Sequence, residues 1–216
     1  LIGFAIVVLF DLNPTMAIGV MILSVCPGGP TSNLITQVSR GNIGLSVTLT
    51  ALASLITVFT IPILLSKTIA YFTGDVDVVI QLPILETTLQ ILVITVIPIS
   101  IGMMIRKRRE AFALSMEKPM RTASTVLFVI IFLIIIIANK DNLTQAMKEV
   151  GLPTLLLNLS TMGLGFVSAK LFGITGKSQI SITIESGIQN GTLAFVIATT
   201  ILNNFEMGLP TGAYSI

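Results

Sequence analysis

Glu185 is a carboxylate set in apolar sequence. It lies near the start of the run Ile180–Leu202, which is long enough to span a bilayer and also holds Gln189 and Asn190. A charged carboxylate at membrane depth costs about 2.5–3.5 kcal/mol on insertion scales, so it needs a partner or must be neutralised. Gly187 and Gly191 flank the polar residues, and such glycines let a helix break and expose carbonyl oxygens. A second stretch has the same character. Cys26-Pro27-Gly28-Gly29-Pro30-Thr31-Ser32-Asn33 interrupts the apolar sequence Thr15–Val38, and its prolines and glycines cannot continue a helix. It offers free carbonyls and the side-chain oxygens of Ser32 and Asn33. Ser46 and Thr50, spaced i, i+4, share one helix face and could complete an oxygen cage with Glu185. Carboxylate, amide, hydroxyl and carbonyl oxygens converging at a broken helix suit a small hard cation such as sodium. The plainer reading of each part is structural: a buried Glu paired for packing, and Ser or Thr hydroxyls bonding their own helix carbonyls. Two breaks of the same kind in one chain favour the site.

Composition fixes the setting. Of 216 residues, 53% are hydrophobic and only 10% charged, against roughly 25% charged in a soluble domain, so the chain reads as a multi-pass membrane protein. It has no His, which removes His metal sites and Ser-His or Cys-His catalysis. Its single cysteine, Cys26, forms no intrachain disulfide. A net charge of +2 gives no argument for nucleic acid. Without Trp, interfacial anchoring falls to Tyr71, Tyr214, Lys and Arg. The chain opens on Leu1-Ile2-Gly3-Phe4 without a signal-peptide pattern, and stops just as a new apolar segment opens after Pro210. Both ends read as truncated.

The elements that must position these residues are helices throughout. Asp11–Pro14 reads as a turn with Asn13 capping a helix that starts at Pro14. Spans are expected at Ile43–Ser66, Leu82–Ile105, Thr122–Ala138 and Leu152–Phe172, with Gly163 and Gly165 permitting close helix approach. Lys67–Gln81 reads as an interfacial segment and Asn139–Gly151 as a polar loop. Nine of the twelve Lys and Arg fall on one side in this layout, which makes the Arg106–Arg121 loop cytoplasmic in a cell (inner) membrane. The broken helices Thr15–Val38 and Gln179–Leu202 then run in opposite directions. Two broken helices of opposite sense indicate an inverted-topology repeat whose breaks cross. Glu185 is the acidic residue deep in a span. Asp11, Asp75, Asp77, Asp141, Glu149 and Glu206 fall in outer loops, Glu110 and Glu117 in the cytoplasmic one, and Glu86 near a helix start.

Cys26-Pro27-Gly28-Gly29-x-x-Ser32-Asn33, with Arg40-Gly41-Asn42-x-x-Leu45-Ser46-Val47-Thr48-Leu49-Thr50 and Glu185-x-Gly187-x-Gln189-Asn190, resembles the bile acid:sodium symporter family. The resemblance covers essentially the whole chain. It implies an all-α, inverted-repeat secondary transporter with two discontinuous crossing helices. Residues 1–66 and 140–216 would belong to a core domain and 67–139 to a panel domain. It implies one sodium site at Ser32, Asn33, Ser46, Thr50 and Glu185. A second would use Glu185, Gln189 and main-chain carbonyls near Ser186 and Ile188. Substrate, an organic anion, would lie at Pro30, Thr31 and Asn190, with Pro30 standing where relatives often carry Thr. The implied activity is sodium-coupled symport of an organic anion by alternating access. The alternative is a proton-coupled or sodium-independent carrier of an organic or inorganic anion on a related fold. An intramembrane enzyme using Glu185 lacks a nucleophile–base pair in the sequence. A channel would favour a ring of like pore residues rather than crossing breaks.

Overall fold

The computed structural model describes residues 1–74, 84–116, 118–120, 122–123, 126, 130 and 140–214. Among them the regular structure is helical, and the one β-type pairing is an isolated bridge between Gly28 and Gln189. The expected span Thr122–Ala138 and the segment 75–83 lie largely or wholly outside the described residues.

Helix α1 (Ile2–Leu9) turns at Asp11, which takes a positive φ of 47°. The Asn13 Oδ1 then accepts the Met16 N–H at 3.0 Å, capping α2 (Pro14–Val25) with Pro14 in its first turn, as the sequence signals indicate. Helix α2 is buried on every side: Ala17, Ile18, Val20 and Leu23 are each fully shielded. It packs against α1 and against the later helices Ile43–Thr73, Lys140–Leu171 and Leu209–Tyr214, so it is the core against which the first break is fixed. The break at residues 26–29 leads into α3 (Pro30–Val38), and a turn with Arg40 at φ 56° leads into α4.

Helix α4 runs from Ile43 to Thr73, through Pro62, and stops at Gly74 in the left-handed conformation. It is longer than the expected Ile43–Ser66 and takes in Lys67–Thr73, the start of the stretch read as an interfacial segment. The polar residues there carry no break signal. Thr68 and Thr73 return their hydroxyls to the carbonyls of Leu64 and Ile69, both at 2.8 Å, and Ile69 is buried in the core. Tyr71 stacks edge-on against Phe4 at 5.0 Å. Helix α5 (Ile84–Arg108) carries the basic run into its last turn. Helix α6 (Lys140–Leu171) replaces the expected loop Asn139–Gly151, so Glu149 is helical. Polarity alone does not break a helix, and the sequence has no Gly or Pro until Gly151. Asn13 donates to Glu149 at 2.9 Å, tying α6 to the cap of α2. Pro153 is absorbed where Thr154 donates to Val150 O and Gly151 O at 2.7 and 3.0 Å.

Helix α7 (Gly176–Gly187) meets the second break at residues 188–190. Helix α8 (Gly191–Val196) follows and widens into a π-helical turn, Ile197–Ile201. A 3-10 turn at Glu206–Gly208 leads into α9 (Leu209–Tyr214). Among the described residues, two helices are long and apolar enough to cross a membrane, α4 and the part of α6 from Met147 to Leu171. Only 22% and 28% of their most apolar stretches are buried, unlike the core helix of a soluble protein. Leu52, Leu55, Ile56 and Phe59 of α4 and Leu155, Leu159 and Phe166 of α6 face outward.

The α6–α7 contact is close at one glycine and open at the other. A Cβ on Gly165 would lie 2.7 Å from the Ser186 side chain and 3.0 Å from Ile182 O, whereas one on Gly163 would meet nothing. Gly165→Val should therefore lower stability by about 1–3 kcal/mol through overpacking. Gly163→Ala should be neutral or slightly stabilising. Thermal unfolding of the two variants in detergent checks this; equal behaviour would contradict the packing.

Candidate cation site at the crossing of two helix breaks

The two breaks touch. Gly28 and Gln189 form an antiparallel bridge, and the Asn190 N–H donates to Pro27 O at 2.8 Å. Each break frees backbone groups that cannot be left unpaired in hydrocarbon, and the two partly satisfy one another. Around the crossing, four helix ends meet: the C-termini of α2 and α7 and the N-termini of α3 and α8. Asn190 caps α8 by accepting the Leu193 N–H at 3.0 Å.

Glu185 sits in the last turn of α7, 9% exposed. Ser32 donates to its Oε2 at 2.7 Å, Ser46 to the same oxygen at 3.1 Å, and Thr50 to Oε1 at 2.5 Å. Asn33 Oδ1 accepts from Ser46 at 2.8 Å and from Thr50 at 3.4 Å. The structure thus brings Ser32, Asn33, Ser46 and Thr50 together around one carboxylate, from α3, α4 and α7. The plainer behaviour of helix hydroxyls is seen beside them: Thr48 bonds only its own helix, at Gly44 O, 2.8 Å away. Ser46 and Thr50 turn inward instead, although Thr50 also reaches Ser46 O at 3.0 Å.

Gly28 lies directly against Glu185, so a side chain there would force the carboxylate to shift. A Cβ there would lie 2.1 Å from Glu185 Oε1, so the first break rests on the carboxylate itself. Among the described residues the hydrogen-bond donors on Glu185 are the neutral hydroxyls of Ser32, Ser46 and Thr50, which cannot balance a carboxylate's charge. Among the described residues no three His, Cys, Asp or Glu side chains group together. The donor set is one carboxylate with hydroxyl, amide and carbonyl oxygens, which suits a hard monovalent cation better than a thiophilic metal.

The second break is organised by residues the sequence reading passed over. Tyr214 was expected at the membrane interface, but it is only partly exposed and its hydroxyl donates to Gly187 O, the last carbonyl of α7. Tyr214 Oη also accepts from the Gln189 N–H and from Asn158 Nδ2, both at 3.2 Å. Asn158 Nδ2 reaches Gly187 O as well, at 3.1 Å. Gln189 folds back so that its Nε2 donates to Ser186 O at 3.2 Å, and Ile188 closes α7 with its N–H on Ile184 O at 2.8 Å. Asn158 was legible in principle: it is an amide inside the apolar stretch Leu152–Phe172, the same signal that marked Glu185. Pro30 and Thr31 are exposed in the first turn of α3, outside the Glu185 cluster. Asn190 lies against Gly29, where a Cβ would be 3.0 Å from its Cγ.

The model of the Sodium Bile acid symporter family matches residues 1–146. The chain belongs to that family. Its relatives include a probable chloroplastic sodium/metabolite cotransporter of Arabidopsis thaliana, 30% identical over 215 residues, covering 99% of this chain and 52% of the relative. An uncharacterised sodium-dependent transporter of Bacillus subtilis is 27% identical over 218 residues, covering 100% of the chain and 65% of the relative. The human ileal sodium/bile acid cotransporter is 28% identical over 197 residues, covering 91% and 56%. The chain spans about half the length of the plant relatives it matches. Family membership and the outward-facing apolar helices make it a multi-pass membrane protein.

The contact between Gly28 and Glu185 gives a test that needs no ligand. Gly28→Ala should displace the carboxylate or part the two breaks, lowering stability by about 1–3 kcal/mol. A thermal midpoint equal to wild type would mean that the carboxylate does not rest on the first break.

Proposed function

We propose that the protein is a sodium-coupled secondary transporter, a symporter of an organic anion working by alternating access, and not an enzyme. The observation that carries this reading is the buried Glu185 carboxylate, held by Ser32, Ser46 and Thr50 where two helix breaks cross. The relatives named as sodium-dependent transporters and cotransporters support it.

In this reading Ser32, Asn33, Ser46, Thr50 and Glu185 take the first sodium ion. Glu185, Gln189 and the carbonyls near Ser186 and Ile188 take a second, so the carboxylate is shared. The electrostatics favour both signs of charge at one crossing. The C-terminal ends of α2 and α7 carry partial negative charge and draw a cation, while the N-terminal end of α3 carries partial positive charge and draws an anion. Substrate then lies at Pro30, Thr31 and Asn190. Pro30 contributes no N–H, which leaves Thr31 as the first donor-bearing residue of that helix end. An ion bound between the breaks neutralises Glu185 and holds α3, α4 and α7 together. Substrate affinity therefore depends on sodium by linkage. The two broken helices form the halves of an inverted repeat. Residues 1–66 and 140–216 make up a core domain and 67–139 a panel domain. The 106–121 segment faces the cytoplasm of a cell (inner) membrane.

The test uses the intact protein, first screened by thermal shift against organic anions in sodium and in potassium to find a transported probe. Glu185→Gln keeps size and hydrogen bonding but removes the charge. It should abolish sodium-driven uptake and sodium-induced stabilisation while the protein still inserts. Ser46→Ala or Thr50→Ala, each removing one neutral ligand, should raise the sodium requirement about fivefold. An unchanged sodium dependence in Glu185→Gln would make the carboxylate structural and overturn the reading.

A further inference from the structure

Each hydroxyl on Glu185 has one hydrogen and more than one acceptor within reach. Ser32 Oγ lies 2.7 Å from Gly29 O as well as 2.7 Å from Glu185 Oε2. Thr50 Oγ1 lies 3.0 Å from Ser46 O and 2.5 Å from Glu185 Oε1. Ser46 Oγ lies 3.1 Å from Glu185 Oε2, 2.8 Å from Asn33 Oδ1 and 3.3 Å from Thr36 Oγ1. Without an ion, the hydrogens point at the carboxylate and solvate its charge. A cation takes the lone pairs of these hydroxyls, so their hydrogens must turn away from the carboxylate that binds the same cation. Ser32 and Thr50 turn to backbone carbonyls, which any sequence supplies. Asn33 Oδ1 is itself part of the proposed ion shell. Ser46 is left with the Thr36 hydroxyl.

Thr36 lies one turn beyond Ser32 on α3 and is fully buried. Its methyl is held against Gly41, where a Cβ would lie 2.8 Å from Thr36 Cγ2, and its carbonyl accepts the Gly41 N–H at 2.9 Å. The methyl does the packing, so packing alone does not call for a hydroxyl. We propose that Thr36 is a positioning residue for the sodium site: it receives the Ser46 hydrogen in the ion-bound state and so aims the Ser46 lone pair at the ion. This rests on the sodium-site reading above.

The experiment is thermal unfolding of the intact protein against sodium chloride, with potassium chloride holding ionic strength constant. Thr36→Val keeps the shape and removes the acceptor. It should raise the half-stabilising sodium concentration about fivefold, the weight of one neutral hydrogen bond, and leave the sodium-free midpoint unchanged. Thr36→Ser keeps the hydroxyl and should restore the wild-type sodium dependence. In a Ser46→Ala background, Thr36→Val should add no further shift, because its effect runs through Ser46. If Thr36→Val fails to fold, Thr36→Ala compared with Thr36→Ser makes the same comparison. A wild-type sodium response in Thr36→Val, or a shift that persists in full without Ser46, would overturn the role of Thr36 alone. A wild-type protein indifferent to sodium would overturn the sodium site and this inference together.

Discussion

One buried carboxylate, whose hydrogen-bond donors among the described residues are all neutral hydroxyls, constrains the rest of this structure. Charge at that depth is costly unless it is compensated. The fold meets the cost with three hydroxyls from two helices and a glycine small enough to let the first break rest on the carboxylate. Hydroxyls can solvate a carboxylate but cannot cancel its charge, and the same oxygens are good ligands for a small cation. In the proposed sodium site the same oxygens therefore serve two hydrogen-bonding arrangements, one that solvates the carboxylate and one that leaves their lone pairs to an ion.

The breaks themselves are held by backbone. Gly28 pairs with Gln189 and Pro27 O receives the Asn190 N–H, so each interrupted helix satisfies part of the other. Asn158 and Tyr214 hold the last carbonyl of α7 from two further helices, α6 and α9. Helix α2, buried on all sides, fixes the first break from behind. The outward faces of α4 and α6 are apolar and suit lipid. The core behind them is mostly apolar as well, built on Ile18, Ile22, Leu23, Ile61 and Ile197, with the Glu185 cluster set into it.

The features legible in the sequence were those with a local physical signal. Pro and Gly mark both breaks, Asn13-Pro14 marks a helix start, and the i, i+4 spacing puts Ser46 and Thr50 on one face. The membership of Ser32, Asn33, Ser46, Thr50 and Glu185 in one cluster followed from such signals together with the family resemblance. What was not legible depends on tertiary contact. The start of α6 at Lys140 reads as a polar loop, and the seven helical residues of α4 after Ser66 as part of a separate interfacial segment, because polar residues look like a break where packing and unbroken helical sequence prevail. Tyr214 looked like an interfacial ring, since nothing near it in the sequence announces a partner at Gly187. Thr36 carries no signal of its own in the sequence, and its closeness to Ser46 is visible only in the fold.

The central claim is that Glu185 and its hydroxyls form a sodium site at the crossing. The most direct measurement is a pair of high-resolution structures of the intact protein, one in sodium and one in potassium. The account predicts an ion in the sodium structure bound by the Glu185 carboxylate with Ser32, Asn33, Ser46 and Thr50, and direct hydroxyl–carboxylate hydrogen bonds in potassium. Identical direct hydrogen bonds on Glu185 in both salts, with no ion between them, would contradict it.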